Sequence, residues 1–411
     1  MNQFIKNISY LSTGQLFKII IRLIAFSAIT KSLSLQQYGQ FITIVAFCEI
    51  FQIFTLPGMS KPIVRSACKA MDQVDRILSS KSGIRNITAL VAIALANIAV
   101  IFMGYDESVT SLIRYYSIIL LLDSLRAYVR IVFKAFEVFK WISLSEMVQA
   151  ATYLVFVLVS IELQQGVEGI VVASVLSTSI SFLIDYINSK KYSNFKLLGG
   201  FEVDKVFLIS ASVFTLTNIM WLIITKIDVL MLSVLTSSDE VAIYGVANRF
   251  VFFGLMGISV VSNVIYPPIV KEIKKSGQLQ IDKHARHIVA VGLFFIFGCL
   301  FVGYTSDSII PMIADKKYLS SSEILNILIF YILIQAFTTP IKLILYAVEK
   351  EKLLLLIILP LPFIKVILNK LFFDLLGLQG IAYSTVIVYS IYLAALIIIN
   401  WKLLKNLLAR D

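Results

Sequence analysis

The chain has 411 residues, of which 59% are hydrophobic and only 15% are charged. Soluble domains carry about one quarter charged residues, so this composition excludes an ordinary soluble protein. The net charge of +11 does not require nucleic acid as a partner, because the basic loops of a membrane protein face anionic lipid headgroups.

Apolar stretches of about 20 residues recur along the chain, and each is long enough for an α-helix to cross a bilayer. The stretches are continuous, whereas a transmembrane β-barrel has short alternating segments. No small-residue cleavage pattern follows the first stretch, so we interpret it as a retained span. The sequence predicts an all-α integral membrane protein with about twelve transmembrane helices. They lie near 10–30, 39–58, 86–104, 112–131, 142–161, 167–187, 206–235, 241–264, 288–305, 322–343, 353–372 and 379–400.

Basic residues are distributed unevenly between the two sets of loops that these spans define. Most of the 36 Lys and Arg lie in one set, and the opposite loops hold only Lys31, Lys316 and Lys317. Cytoplasmic loops of membrane proteins carry the excess of Lys and Arg, so we predict that both termini are cytoplasmic.

The two halves of the chain resemble each other at offsets of 206 to 212 positions. Residues 38–39 match 244–245, 61–65 match 267–271, 130–140 match 342–352, and 166–174 match 377–385. We therefore predict two six-helix lobes, residues 1–200 and 201–411, related as parallel repeats by an axis along the membrane normal. Transporters of this kind bind substrate between the lobes, so the repeat favours a transporter.

Charged residues lie inside several predicted spans, where a cation costs about 2.5–3.5 kcal/mol if it is exposed to lipid. On the first span Gln15, Lys18 and Arg22 follow i, i+3, i+7 spacing and share one helix face. We expect that face to line an aqueous cavity or to contact another helix.

Charges of this kind predict a cationic substrate cavity. The candidate cations are Lys18, Arg22, Arg126, Lys226, Arg249 and Lys365. The candidate polar lining residues are Gln15 and Asn218, and the intramembrane acids are Glu49, Asp123 and Asp228. An alternative interpretation makes some of these charges structural ion pairs, such as Glu49 with Lys18 and Asp228 with Arg249. Because cations exceed acids in this count, the pattern favours an anionic passenger such as a phosphate.

Signatures of enzymes, metals and disulfides are absent from the sequence. It has no G-x-x-x-x-G-K-[ST], H-E-x-x-H or G-x-S-x-G motif, so we predict neither an enzyme nor a cofactor. His284 and His287 lack a third ligand and fit a solvated helix better than a metal site. The three cysteines are far apart and imply no disulfide framework.

The segment "TKIDVLMLSVLTSSDEVAIYGVANRF" at 225–250 resembles the polysaccharide-transport branch of the multidrug/oligosaccharidyl-lipid/polysaccharide (MOP) exporter superfamily. "LSLQQYGQF" at 33–41, "FKAFEVFKW" and "GLQGIAYS" are similar to other points of the family pattern. The resemblance covers nearly the whole chain and implies twelve spans in two six-helix lobes. Among the candidate residues, the family motifs single out only Asp228 and Arg249.

The resemblance implies a flippase for O-antigen or capsule repeat units in the bacterial inner membrane. Such a protein carries an undecaprenyl-diphosphate-linked oligosaccharide from the cytoplasmic to the outer leaflet by alternating access. It implies the lipid bilayer, polysaccharide polymerase and chain-length proteins as further partners. The depth of Glu49, Asp123 and Asp228 also suggests coupling to protons or sodium ions.

Other transporters remain as alternatives. A multidrug exporter of the same superfamily would share the fold, but we would expect more acid than base in its lobes. A peptidoglycan-precursor flippase usually has fourteen spans. A major-facilitator porter should carry G-x-x-x-D-[RK]-x-G-[RK]-[RK] in its second loop, and this sequence does not. A structural membrane protein would explain the spans but not the cationic stripes.

Overall fold

The computed structural model describes residues 3–55, 57–202, 205–276, 281–348 and 350–407, and these ranges contain helices but no β-strand. The chain divides into two compact units, Met1–Val241 and Ala242–Asp411. The predicted lobe boundary between residues 200 and 201 stays a prediction. The side chains of His284 and His287 lie outside the described residues.

The first unit is built from helices joined by short 3₁₀ segments and loops. In chain order the helices are α1 (Gln3–Ser32), α2 (Leu35–Phe51), α3 (Ser60–Lys69), α4 (Val74–Ala99), α5 (Glu107–Tyr116), α6 (Ile118–Ala135), α7 (Lys140–Glu162), α8 (Gly166–Ser189) and α9 (Lys205–Leu235). Helix α7 packs along both α1 and α8, and α6 lies against α4 and α8. Helix α2 packs against α5 and α9.

Helix α4 starts at Val74, a dozen residues before the predicted start of the third span near residue 86. Its added turns bury Val74 and Leu78 in an apolar cluster with Ile63 of α3 and Tyr128 of α6. This burial explains the extension, because tertiary packing stabilises helical turns that hydropathy alone does not favour.

The loop that follows α8 is bonded to α4. The amide N–H groups of Gly200 and Glu202 donate to the carbonyl oxygens of Ser79 and Ser80, each at 2.8 Å. A Cβ atom on Gly199 would lie 2.0 Å from the Ser79 oxygen, so only glycine allows this approach. The loop that leads towards α9 is therefore held against α4.

The predicted fourth span, 112–131, consists of two helices, α5 and α6, which meet at Ser117. Within the described ranges, eleven stretches are long and apolar enough to cross a membrane, and α6 is not among them. Charged residues of α6 lower its hydropathy: Asp123, Arg126, Arg130 and Lys134. If α5 and α6 together count as one span in addition to these eleven, the helices are consistent with the predicted twelve-helix layout.

The second unit begins at Ala242, one turn into α10 (Ser238–Ser276). It also contains α11 (Ile281–Ile313), α12 (Ser321–Ala347), α13 (Glu351–Ile358), α14 (Leu361–Leu376) and α15 (Leu378–Leu407). Helix α12 packs against α11 and α15, and α15 also packs along α14. The predicted eleventh span, 353–372, is interrupted between α13 and α14. Pro360 lies at the break, where it lacks the N–H that a continuous helix would need.

Structural details of the two units match at the repeated segments. Gly166 is the first residue of α8 and has φ +57°, and Gly377 directly precedes α15 with φ +60°, a conformation that glycine adopts without steric cost. Tyr38 and Tyr244, from the first matched pair, are both 1% exposed. The sequence repeat therefore corresponds to equivalent positions in the two units.

Candidate functional site

Six charged side chains form a network in the first unit, on α1, α6, α7 and α8. They are Lys18, Asp123, Arg126, Arg130, Glu146 and Asp185, and we call them the ionic network. The three members from α6 follow i, i+3, i+7 spacing, so one face of this helix presents all three towards α7 and α8.

Glu146 on α7 joins two of these helices. Its Oε2 atom lies 3.5 Å from the Lys18 ammonium on α1, and its Oε1 atom accepts a hydrogen bond of 2.9 Å from Arg130 on α6. The polar face predicted for α1 thus contacts a neighbouring helix.

Asp185 on α8 is shared by two arginines, and its side chain is fully buried. Arg130 donates from Nε to the carboxylate at 2.8 Å, and the Nε atom of Arg126 lies 3.9 Å away. Arg126 also donates to Gln149 at 3.1 Å and to Ser181 at 2.8 Å. Both guanidinium groups are therefore held by a carboxylate and by neutral acceptors.

A chain of polar contacts continues from the ionic network towards α9. Asp123 lies 3.4 Å from Arg126 and accepts a hydrogen bond of 3.5 Å from Gln52, in the 3₁₀ segment after α2. One turn earlier, Glu49 forms an ion pair with Lys226 of α9. The predicted pairing of Glu49 with Lys18 is wrong, because each of these residues pairs with a different partner.

The acids that the sequence count of intramembrane charges omitted include Glu146 and Asp185. Both lie inside predicted spans, so a complete count of charged residues in 142–161 and 167–187 would have found them. Three of the candidate cations, Lys18, Arg126 and Lys226, have carboxylate partners. The excess of cations in the first unit is therefore smaller than the sequence analysis predicted.

The remaining candidates of the first unit lie on α1 and α9. Gln15 and Arg22 are partly buried on the face of α1 that carries Lys18. On α9, Asp228 is buried and Asn218 is exposed.

Two candidate cations belong to the second unit. Lys365 on α14 is 1% exposed, and its ammonium lies 5.7 Å from the centre of the Tyr389 ring. That ring packs against Tyr331 with a distance of 4.1 Å between ring centres. The guanidinium of Arg249 lies 5.9 Å from the centre of the Phe252 ring. Its predicted pairing with Asp228 stays a prediction.

The repeat relates the ionic network to mostly uncharged positions of the second unit, with Lys342 as the charged exception. The offset of the match between 130–140 and 342–352 aligns Asp123, Arg126 and Arg130 with Gln335, Thr338 and Lys342. It also aligns Glu146 with Ile358, and the match of 166–174 with 377–385 aligns Asp185 with Leu396. Ile358 and Leu396 are both fully buried, so aliphatic side chains fill the places of the two acids.

The fold is shared with solved membrane transporters. An inward-facing MATE family multidrug resistance transporter of the MOP superfamily aligns with a TM-score of 0.72 and 14% identity, covering 96% of this chain and 98% of that one. The lipid II flippase MurJ aligns with a TM-score of 0.72 and 16% identity, covering 96% and 87%. A MOP superfamily transporter from Pyrococcus furiosus, described as having a binding pocket of reverse polarity, aligns with a TM-score of 0.68 and 13% identity, covering 98% and 96%.

No curated protein matches the chain. The family model described as "Polysaccharide biosynthesis protein" matches residues 4–272, which is well over half of the sequence. The chain is therefore a multi-pass membrane protein that has the MOP superfamily fold and belongs to the polysaccharide biosynthesis protein family.

Proposed function

We propose that the protein is a flippase for undecaprenyl-diphosphate-linked oligosaccharides. It moves O-antigen or capsular repeat units from the cytoplasmic to the outer leaflet of the bacterial inner membrane. Membership of the polysaccharide biosynthesis family and the MOP superfamily fold support this proposal.

The observation that carries the proposal is the restriction of the ionic network to one of two equivalent units. Replacing a buried ion pair by well-packed apolar residues is often neutral, or stabilising by about 1–4 kcal/mol. The second unit has Ile358 and Leu396 where the first has Glu146 and Asp185. The repeated fold does not need these charges, so a selected function is the better explanation for them.

Exchange of anions on the arginines gives the network a role in transport. Guanidinium groups bind carboxylate and phosphate with the same planar pairs of donors, so a diphosphate can replace Glu146 or Asp185 on Arg126 and Arg130. In the absence of passenger the acids neutralise the cations, and with passenger bound the diphosphate takes their place. The sugar head then crosses as the lobes rock, while the lipid tail stays in the bilayer.

The first test uses a strain that lacks this gene. We expect undecaprenyl-diphosphate-linked oligosaccharide to accumulate on the cytoplasmic side and surface polysaccharide to be lost, as measured by lipid extraction and mass spectrometry. Normal polysaccharide without accumulation, in a strain with no second flippase, contradicts the proposal. Increased sensitivity to cationic drugs in that strain would then favour the multidrug exporter.

A second test transfers the residues of the second unit into the first. The five-site variant combines Asp123→Gln, Arg126→Thr, Arg130→Lys, Glu146→Ile and Asp185→Leu. We expect it to accumulate in the membrane at the wild-type level and to restore no surface polysaccharide in the deletion strain. Arg114→Gln, at an exposed arginine of α5, is the control and should restore export fully. Export by the five-site variant would exclude the ionic network as the transport site.

Single substitutions on α1 test the cations beside the network. Arg22→Ala should abolish export, and Arg22→Lys should retain part of it because the charge is kept while the paired donors are lost. Full export by both Arg22→Ala and Lys18→Ala would remove this face of α1 from the site.

A further inference from the structure

Arg85 on α4 is a buried arginine outside the ionic network. It is 3% exposed, and its Nε atom donates a hydrogen bond of 2.8 Å to the hydroxyl of Ser124 on α6. Its Nη1 atom donates a longer bond of 3.5 Å to the hydroxyl of Ser60, the first residue of α3. Arg85 therefore lies where three helices of the first unit meet.

Arg85 differs from the arginines of the network in its partners. Arg126 and Arg130 each contact a carboxylate, whereas no carboxylate of the described residues lies within ion-pair distance of Arg85. Its Nη2 atom makes no hydrogen bond within the described part of the chain. Buried charges are normally paired, so this guanidinium has both charge and donors left for an anion.

A second cation lies beside Arg85 on the same helix. Lys81 is one turn earlier, at i−4, and is 9% exposed. Its ammonium donates at 3.4 Å to the backbone carbonyl of Glu202, in the loop held against α4. Arg85 and Lys81 are thus two buried cations on one face of α4.

The repeat indicates that the fold does not require this charge. At offsets of 206 to 212, Arg85 corresponds to residues 291–297 of the second half, which read Val-Gly-Leu-Phe-Phe-Ile-Phe. Ser124 corresponds to Ala336. The second half thus has neither the arginine nor the hydroxyl that positions it.

We propose that Arg85, together with Ser60 and Ser124, binds the phosphate group of a lipid at the cytoplasmic end of the first unit. The guanidinium fork matches phosphate oxygens, the serine hydroxyls supply additional donors, and the phosphate provides the missing negative charge. The cytoplasmic placement follows from the predicted orientation, in which α3 belongs to a basic inner loop.

Two lipids share this chemistry. One is the polyprenyl diphosphate of the passenger, and assigning the site to it rests on the proposed function. The other is an anionic phospholipid headgroup, and that assignment does not depend on the proposed function. A site that captures either phosphate in the inner leaflet would lie on the side from which a flippase loads.

The test measures binding by the full-length purified protein in detergent, through the lipid-induced rise in Tm. The probes are undecaprenyl diphosphate and phosphatidylglycerol, with undecaprenol and diacylglycerol as phosphate-free controls. We expect a phosphate lipid to raise the Tm of the wild type and of Arg76→Gln, a matched control at an exposed arginine of α4. Arg85→Gln should bind about tenfold to a hundredfold more weakly, which corresponds to one charge-assisted hydrogen bond. Arg85→Lys should give an intermediate result.

The outcomes separate this site from the proposed function. A shift with undecaprenyl diphosphate that Arg85→Gln abolishes assigns the site to the passenger. A shift with phosphatidylglycerol alone assigns it to a phospholipid headgroup, and the deletion strain still decides whether the protein is a flippase. Equal shifts in the wild type and Arg85→Gln, or no shift in the wild type, overturn the proposal.

A purely structural Arg85 has its own signature. Arg85→Gln would then lower the Tm without lipid and leave the lipid-induced shift intact. If Arg85→Gln does not fold, the lipid-induced rise in Tm is measured on the double variant Ser60→Ala with Ser124→Ala, which keeps the cation. A rise as large as that of the wild type in this double variant would also overturn the proposal.

Discussion

The two units are built from the same repeat, but they treat buried charge differently. In the first unit Glu146 and Asp185 join helices α1, α6, α7 and α8 through ion pairs. In the second, the aligned Ile358 and Leu396 pack as ordinary apolar side chains, and the buried cation Lys365 lies near an aromatic ring instead. The comparison separates what the repeated fold requires from what only one of its copies contains.

Positions that the two units share are those that set the path of the backbone. Gly166 and Gly377 both adopt positive φ at the start of α8 and of α15, and Tyr38 and Tyr244 are both buried. The units differ at Glu146 and Asp185, where the second unit has the aliphatic residues Ile358 and Leu396. The repeat therefore keeps packing and turn geometry, whereas these two buried acids are specific to the first unit.

The largest expected effect is that of Asp185→Leu, which introduces the residue of the second unit alone. It leaves Arg126 and Arg130 without their shared carboxylate, and removing one partner of a buried ion pair costs about 3–5 kcal/mol. Thermal unfolding of the purified protein should show a strong loss of stability.

The control for Asp185→Leu removes the arginines as well. Asp185→Leu combined with Arg126→Thr and Arg130→Lys should recover most of the lost stability, because fewer buried cations remain unpaired. If the triple variant is as unstable as the single one, the network is needed for the fold, and the contrast between the units loses its meaning.

A smaller difference in stability is expected when the second glycine of the matched segments 166–174 and 377–385 is changed to alanine. A Cβ atom on Gly380 would lie 2.0 Å from the backbone oxygen of Phe372, so Gly380→Ala should cost about 3 kcal/mol. On Gly169 the nearest atoms are side-chain carbons at 2.7 Å, from Gln165 and Ser160. These contacts are longer than the one at Gly380 and alanine favours a helix, so Gly169→Ala should cost less, about 1–2 kcal/mol. Equal losses of Tm would contradict this asymmetry.

The ion pair between Glu49 and Lys226 should contribute less than about 1 kcal/mol, because both side chains are about one third exposed. A double-mutant cycle of Glu49→Gln and Lys226→Met should show favourable coupling. The matched cycle of Glu49→Gln and Lys18→Met should show none, since Lys18 pairs with Glu146. Coupling only in the second cycle would favour the alternative pairing of Glu49 with Lys18 and contradict the pairing of Glu49 with Lys226.

Cysteine labelling should leave stability unchanged and test the orientation. Cys68 is exposed on α3, whereas Cys48 in the first unit and Cys299 in the second are buried. A membrane-impermeant maleimide should label Cys68 in inside-out vesicles and not in intact cells. Cys68→Ser should remove this label. Labelling of intact cells would place the basic loops outside.

Much of the fold follows from hydropathy. The predicted seventh span, 206–235, agrees with α9, because a long apolar run leaves few alternatives to a helix. The predicted helix boundaries are wrong where tertiary contacts determine where a helix begins or ends. The early turns of α4 are buried against α3 and α6, and the interruption between α5 and α6 at Ser117 has no proline or glycine to indicate it.

The site was harder to predict than the fold. The i, i+3, i+7 spacing of Asp123, Arg126 and Arg130 can be read from the sequence, and the structure joins them in one network. Spacing within one helix cannot identify partners on other helices, so the alternative that paired Lys18 with Glu49 missed Glu146. Arg85 was missed because the predicted third span began at residue 86, one position after it.

The partner of Lys18 has a consequence for how the protein is made. Lys18 lies on α1, and Glu146 is not synthesised until the ribosome reaches α7. During translation the first helix must enter the membrane with its cation still unmatched, which is unfavourable in hydrocarbon. The arrival of α7 therefore stabilises α1 in the membrane, because it supplies the acid that pairs with Lys18.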